Sequence, residues 1–198
     1  MDDQGACPID KETAISIYYE AIDWCRGKSW LVRLPFLLLF FYLLVRYLQV
    51  PRYWNVFSNL NLGLHELGHY VFSFFGMFLS VLGGTLFECL VPIFGVVNFY
   101  RQRDFFAISV CFGWLSTVLF GVAVYAADAR AMELPLVTPF GLDTPVTHDW
   151  NYLLSRVGLL EYDIVLANIL RGAAVIFMLV CLISGAWLLW NMRDNNGK

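Results

Sequence analysis

Two histidines and a glutamate stand at a metal-binding spacing within an apolar stretch of the chain. They are His65, Glu66 and His69, in the order His-Glu-x-x-His. On an α-helix, residues four apart are neighbours on one face, so the two imidazoles can share one zinc ion. Glu66 lies about 100° round the helix from His65, beside the metal, where a base can act on water. The spacing predicts His65 and His69 as zinc ligands and Glu66 as the catalytic base.

A zinc site of catalytic type needs a third protein ligand. Such sites hold the metal by three protein groups and leave a fourth position for water. The chain has only three histidines, and the third, His148, stands directly beside Asp149. Either residue can supply the missing donor, and the sequence leaves the choice between them open. Weaker candidates are three further acidic residues, Glu88, Asp128 and Asp163.

Composition places these residues in a membrane protein. Of the 198 residues, 59% are hydrophobic and 15% are charged, whereas a soluble domain carries about 25% charged residues. In lipid, an ionisable side chain at mid-depth costs about 2.5–3.5 kcal/mol on insertion scales, so a group of them indicates function. The net charge of −3 argues against a nucleic-acid partner. The five cysteines are scattered, and we expect them to be reduced and buried.

The predicted fold is an all-α polytopic membrane protein with about five transmembrane helices. Five apolar stretches are separated by polar, Gly or Pro residues, and they cover residues 30–50, 56–82, 85–100, 105–127 and 172–190. Gly83-Gly84 is interpreted as a break. The short stretch at 85–100 is either a kinked span or a re-entrant segment. Residues 128–162 hold three prolines, which exclude one continuous helix, and are predicted to form a structured loop against the bundle.

One transmembrane metallopeptidase-like domain is predicted over residues 30–191. Residues 1–29 form an amphipathic N-terminal segment that lies at the membrane surface or packs against the bundle. Residues 192–198 form a polar tail, and no cleavable signal peptide is expected. Basic residues beside the first span favour a cytoplasmic N-terminus for this multi-pass protein, although Arg46, Arg52, Arg101 and Arg103 argue nearly as strongly for the opposite side.

The motif and the glycines that follow it resemble a known family. His65-Glu66-Leu67-Gly68-His69 in a membrane helix, followed by Gly83-Gly84-Thr85-Leu86-Phe87, resembles the site-2 protease group of intramembrane zinc metallopeptidases, and within it the peptidase M50B-like proteins. The resemblance covers residues 56–100. It implies that His65 and His69 bind zinc, that Glu66 is the base, and that the substrate is a transmembrane or membrane-adjacent helix.

The third ligand departs from that family's pattern. The group typically uses an aspartate in a Leu-Asp-Gly motif of a later membrane helix, and this chain has no such motif. His148-Asp149-Trp150 is interpreted as its replacement, with Asp149 matching the family's ligand by chemistry and His148 by the preference of zinc for nitrogen.

The predicted function is hydrolysis of peptide bonds in membrane-embedded substrates by an intramembrane zinc metalloprotease. Glu66 would take a proton from zinc-activated water and pass it to the leaving group. Gly83 and Gly84 are predicted to offer an edge to an extended substrate, and Asn168 a hydrogen bond to a substrate carbonyl.

Two other functions compete with this one. The first is a membrane zinc hydrolase that acts on lipid amides or esters. The second is a non-catalytic pseudoprotease that binds membrane helices. The expected partners are a transmembrane protein or peptide substrate, the lipid bilayer, and a regulatory membrane protein, because no soluble regulatory domain is recognised in the sequence.

Overall fold

The computed structural model describes residues 11–135 and 148–195, and within these ranges every regular element is helical. Short 3₁₀ turns at Ser73–Phe75 and Leu160–Tyr162 precede two of the helices. The α-helices of the described residues are α1 Lys11–Cys25, α2 Leu34–Gln49, α3 Val56–Phe72, α4 Met77–Arg101, α5 Phe105–Ala127, α6 Asp149–Arg156 and α7 Asp163–Asn195.

Three of the described helices are long and apolar enough to cross a membrane. They are α4, α5 and the stretch Leu160–Asp194, which consists of the second 3₁₀ turn and nearly all of α7. The predicted span at 105–127 coincides with α5. α2 is apolar but has only 16 residues, which gives it about 24 Å at 1.5 Å per residue, less than the roughly 30 Å of a hydrocarbon core. The structure therefore supports an all-helical membrane protein with three span-capable helices.

The predicted break at Gly83-Gly84 and the re-entrant segment at 85–100 are wrong. α4 runs without interruption from Met77 to Arg101 and includes both glycines and Pro92. The chain turns earlier, at Gly76, whose φ of 90° lies in the left-handed region that favours glycine. Gly83 and Gly84 instead let α3 approach α4 closely, because a Cβ on either would overlap side chains of α3.

Contacts with α5 define the directions of its neighbours. α7 is antiparallel to α5, since Ser109 hydrogen-bonds Ser184 while Ser116 hydrogen-bonds the carbonyl of Ala174. α2 is parallel to α5: Phe40 packs on Gly113 near the start of α5, and Tyr47 stacks on Phe120 further along, with ring centroids 4.4 Å apart.

The helix that carries the histidines runs parallel to the helix before it. α3 is antiparallel to α4, because its later residues contact earlier residues of α4, and α4 reverses into α5 through residues 102–104. Residues 50–55 must therefore carry the chain back along α2. Phe57 accordingly stacks on Phe40, in the first half of α2, with ring centroids 5.7 Å apart. In a bundle whose successive helices alternate in direction, α3 would be antiparallel to α2, and this structure differs from that arrangement.

The amphipathic N-terminal helix packs against the bundle. Ala21 and Cys25 of α1 are buried, and the Cys25 thiol lies 3.6 Å from the carbonyl oxygen of Leu188 in α7. Glu20 forms an ion pair with Arg103 in the turn between α4 and α5. One end of the molecule therefore holds α1, the 102–104 turn and the end of α7.

The opposite end of the molecule holds α6 and the predicted structured loop. The side-chain amide of Asn151 in α6 donates to the carbonyl of Ala129, just after α5, at 2.8 Å. The backbone N–H of Asp149 also donates to the hydroxyl of Tyr125 in α5 at 3.2 Å, so the described parts of the loop, residues 128–135 and 148–162, fold back on the bundle. Residues 136–147 lie outside the described residues, as do residues 1–10 and 196–198 of the predicted terminal segments.

Candidate metal centre

α3 presents both motif histidines to the same side. Its start is secured by a reciprocal cap, in which the Asn55 side chain accepts from the Phe57 amide and the Ser58 hydroxyl accepts from the Asn55 amide. From there the helix continues without a break, so the four-residue spacing places the imidazoles together, with ring centroids 4.7 Å apart. The local sequence of α3 thus determines how His65 and His69 lie relative to each other.

Asp149 is the third group that the fold brings to the histidines. Its Oδ2 lies 2.8 Å from Nε2 of His65 and 3.3 Å from Nε2 of His69. One ligand atom from each of the three residues lies within 4.8 Å of the other two. Asp149 is the first residue of α6, so the site joins elements that are 84 residues apart along the chain.

His148 does not join this group, although the sequence made it an equal candidate. Its Nδ1 accepts the backbone N–H of Asn151 at 3.2 Å, which caps the start of α6. Its Nε2 faces Oδ2 of Asp128 at 3.3 Å. Both ring nitrogens are therefore engaged away from His65 and His69.

A second layer of contacts fixes each motif imidazole. Nδ1 of His65 lies 3.1 Å from the Glu88 carboxylate, and Nδ1 of His69 lies 2.9 Å from the carbonyl oxygen of Ser80. Both partners accept hydrogen bonds, so each Nδ1 acts as a donor and the two Nε2 atoms are directed to the Asp149 side. Glu88, which the sequence offered as a weaker ligand candidate, thus contacts Nδ1 of His65, the ring nitrogen that faces away from Asp149.

The charge of this cluster suits a cation. Glu66, Glu88 and Asp149 bring three carboxylates around two imidazoles, and His65, Glu88 and Asp149 are buried. Burial alone would raise the pKa of Asp149, but the hydrogen bonds from His65 and His69 outweigh it and hold that pKa below its usual range. The three carboxylates outnumber the two imidazoles, and a divalent cation among these groups would offset the excess negative charge.

The two distances from Asp149 to the histidine nitrogens are close to those between ligands of a metal site. In a tetrahedral zinc site with bonds of about 2.0–2.1 Å, ligand atoms lie about 3.3 Å apart. Asp149 Oδ2 meets this spacing at His69 and is about half an ångström closer at His65. His65, His69 and Asp149 could therefore hold zinc, and the same two-histidine, one-carboxylate set also suits Fe(II).

Glu66 and the three converging groups line one cavity of about 610 Å³. Glu66 is half-buried, and none of the described residues hydrogen-bonds its carboxylate. The cavity wall is otherwise mostly apolar and aromatic, and it includes the exposed residues Trp54 and Met77. The cavity therefore joins the carboxylate of Glu66 to exposed residues, and it is large enough for a small molecule or a short stretch of chain.

The remaining predicted residues lie elsewhere. Asn168 is exposed on α7 and does not line this cavity. Gly83 and Gly84 are buried inside α4, where their backbone groups belong to the helix, so they offer no edge for an extended substrate. Asp128 contacts His148, and Asp163 pairs with Arg130 at 2.8 Å.

Tyr125 is a site residue that the sequence analysis did not identify. Its ring lies 5.9 Å from that of His65 between centroids, and its hydroxyl accepts the backbone N–H of Asp149 at 3.2 Å. Nothing in the local sequence of α5 distinguishes this tyrosine from the other aromatic residues of the chain.

No family model, curated protein or solved structure matches the chain. The resemblance to the site-2 protease group therefore remains a prediction from the motif residues.

Gly84 gives a direct test of how tightly α4 holds the histidines. A Cβ at this position would lie 2.7 Å from His65 Nε2 and 2.7 Å from His69 Cε1. We expect Gly84→Ala to push the imidazoles apart and weaken metal binding by about 10-fold or more, the scale at which disturbed ligand orientation acts. Titration of the purified variant with Co²⁺ measures this.

Gly63→Ala is the matched control, because a Cβ at Gly63 on α3 meets nothing within 4 Å. It should bind Co²⁺ as the wild type does. If Gly84→Ala also binds at wild-type strength, the close fit of α4 against the imidazoles does not control the site.

Proposed function

We propose that this protein is an intramembrane zinc metalloprotease that hydrolyses peptide bonds of membrane-embedded substrates. The observation that carries the proposal is the convergence of His65 Nε2, His69 Nε2 and Asp149 Oδ2 on the wall of a cavity that Glu66 also lines. Three protein ligands with a neighbouring glutamate form the donor set of a hydrolytic zinc site. A glutamate beside the ligands suits hydrolysis by activated water, and zinc is the metal that such His-Glu-x-x-His sites typically hold.

The chemistry divides between the metal and the chain. When bound, zinc supplies Lewis acidity, which acidifies water and polarises a carbonyl. Glu66 takes the proton of the attacking water on its carboxylate and later gives it to the departing amine nitrogen. Because none of the described residues hydrogen-bonds that carboxylate, it is free to accept the proton. Glu88 and the Ser80 carbonyl keep the imidazoles in one orientation throughout.

The cavity favours an apolar, extended stretch of peptide. Tyr47, Trp54, Val81 and Tyr125 are among its lining residues. A helical amide is shielded by its own hydrogen bonds, so a substrate helix must unwind before its carbonyl can reach the site. The predicted peptide substrate would therefore present a locally unwound apolar segment.

The membrane arrangement is part of the proposal. We place the chain as a multi-pass integral membrane protein with a cytoplasmic N-terminus. The ion pair between Arg103 and Glu20 supports this, because it puts Arg101 and Arg103 at the same end as α1. These two arginines then join Arg26 and Lys28 on one side, whereas Arg52, Arg130 and Arg156 lie at the opposite end. The positive-inside rule favours the first side as the cytoplasmic face.

Glu66→Gln tests the proposed chemistry. The amide cannot accept a proton, so cleavage of a model transmembrane peptide should fall by about 100-fold or more, the usual contribution of a general base. Zinc content should stay at the wild-type level, since Glu66 is outside the ligand group. Mass spectrometry of the products, with protein in detergent micelles, gives the rate.

Glu161→Gln makes the same change at an exposed position after α6 and should leave cleavage unchanged. Wild-type cleavage by Glu66→Gln would contradict the proposal. Turnover of a lipid amide but no peptide would favour the lipid hydrolase, and zinc binding without either activity would favour the pseudoprotease.

Glu88 should control metal affinity through His65. Glu88→Leu keeps the bulk but removes the acceptor, so His65 loses the partner that orients it, and zinc affinity should fall by about 10–100-fold. Glu88→Gln keeps an oxygen acceptor without the charge and should lie between Glu88→Leu and the wild type. Competition with a coloured chelator measures all three. Equal affinities would show that the contact between Glu88 and His65 does not orient the ligand.

A further inference from the structure

We infer that Asp128 and His148 form a positioning pair that holds Asp149 against the two histidines. The inference rests on the proposed metal site and adds to it two residues that touch neither metal nor substrate. Asp128 follows the last residue of α5, and His148 precedes α6. Their side chains are 2% and 1% exposed, so the contact between them is almost fully shielded from solvent.

The carboxylate of Asp128 is held in place by hydrogen bonds from backbone N–H groups. Its two oxygens accept the backbone N–H groups of Glu133 at 3.2 Å and Leu134 at 2.9 Å. Oδ2 of Asp128 also lies 3.3 Å from Nε2 of His148. Since Nδ1 of His148 accepts from Asn151, its Nε2 carries the proton and donates to Asp128.

The choice of histidine as the cap of α6 supports this role. Ser, Thr, Asp and Asn are the preferred capping residues, and any of them would satisfy the Asn151 amide. Histidine adds a second nitrogen on the far side of the ring, and that nitrogen reaches Asp128. One side chain thus fixes the start of α6 and ties it to the end of α5.

α6 depends on such contacts for its position. It has only eight residues, too few to be stable as an isolated helix. Besides the His148–Asp128 contact, two hydrogen bonds join it to the end of α5: the Asp149 amide donates to the Tyr125 hydroxyl, and the Asn151 side chain donates to the Ala129 carbonyl. Asp149 is the residue next to His148, so a shift of the cap moves the metal-binding carboxylate with it.

The carboxylate of Asp128 also faces the segment that leads into α3. A guanidinium nitrogen of Arg52 lies 3.8 Å from Oδ1 of Asp128. Arg52 belongs to the connection between α2 and α3, and α3 carries His65 and His69. Asp128 therefore contacts both the segment that leads into the histidine helix and the cap of the helix that begins with Asp149.

Four variants of the 198-residue chain test the pair. His148→Asn keeps a capping oxygen but is too short to reach Asp128, whereas His148→Ala removes both contacts. Asp128→Asn keeps the shape with one acceptor, and Asp128→Ala removes the carboxylate. Ser116→Ala, which deletes a fully buried hydrogen bond of α5 to α7, is the control for loss of helix packing alone.

The readouts are Co²⁺ affinity, the Co²⁺ absorption spectrum, and hydrogen exchange of α6 amides in metal-free protein. We expect His148→Asn, His148→Ala and Asp128→Ala to weaken Co²⁺ binding by about 10-fold, alter the spectrum, and speed exchange in α6. Asp128→Asn should be intermediate, and Ser116→Ala should resemble the wild type in all three. If Asp128→Ala does not fold, His148→Asn decides the result.

The outcomes separate this inference from the proposed function. Unchanged exchange in α6 together with wild-type Co²⁺ affinity and spectrum in His148→Asn would overturn the positioning pair while leaving the metal site intact. Faster exchange in α6 with no Co²⁺ bound by the wild type would overturn the metal site while leaving the pair as the anchor of Asp149. Faster exchange with an unchanged spectrum would show that the pair only stabilises α6, which also contradicts the inference.

Discussion

The burial of several ionisable groups in one small volume is the constraint on which this structure depends. His65, Glu88 and Asp149 are buried together, and Glu66 and His69 adjoin them. Unpaired charge in such surroundings costs several kcal/mol. The protein meets this cost by giving each imidazole two partners: Asp149 for the two Nε2 atoms, and Glu88 and the Ser80 carbonyl for the two Nδ1 atoms. Glu66 has no hydrogen-bond partner among the described residues. The same contacts leave two nitrogens and one oxygen close enough together that they could hold a metal ion.

Helix packing follows from that requirement. α4 must approach α3 closely for Glu88 and Ser80 to reach the imidazoles, and Gly84 allows it. α3 must point toward the end of the molecule that holds α6, or Asp149 could not meet the histidines. The return of the chain through residues 50–55 provides this direction by making α3 parallel to α2. The return of the chain through residues 50–55 is therefore what allows His65 and His69 to meet Asp149.

Some of this could be predicted from sequence, and the physical reasons differ from residue to residue. The four-residue spacing of His65 and His69 and the clean apolar run of α5 are local signals, and the structure agrees with both. The choice between His148 and Asp149 could not be made, because both are adjacent and both can bind zinc, and only the capping geometry of α6 separates them. Gly83-Gly84 was misinterpreted as a break because a glycine pair looks alike whether it ends a helix or receives a neighbouring one. The contact between His65 and Glu88 and the parallel course of α3 are tertiary, and no local pattern encodes them. The protease assignment remains a prediction.

X-ray absorption at the zinc edge of the purified protein tests the central claim most directly. The account predicts one zinc per chain, with two imidazole nitrogens and carboxylate or water oxygens at about 2.0–2.2 Å and no sulfur ligand. Absence of bound zinc after loading, or a coordination shell that contains cysteine sulfur or lacks imidazole, would contradict it.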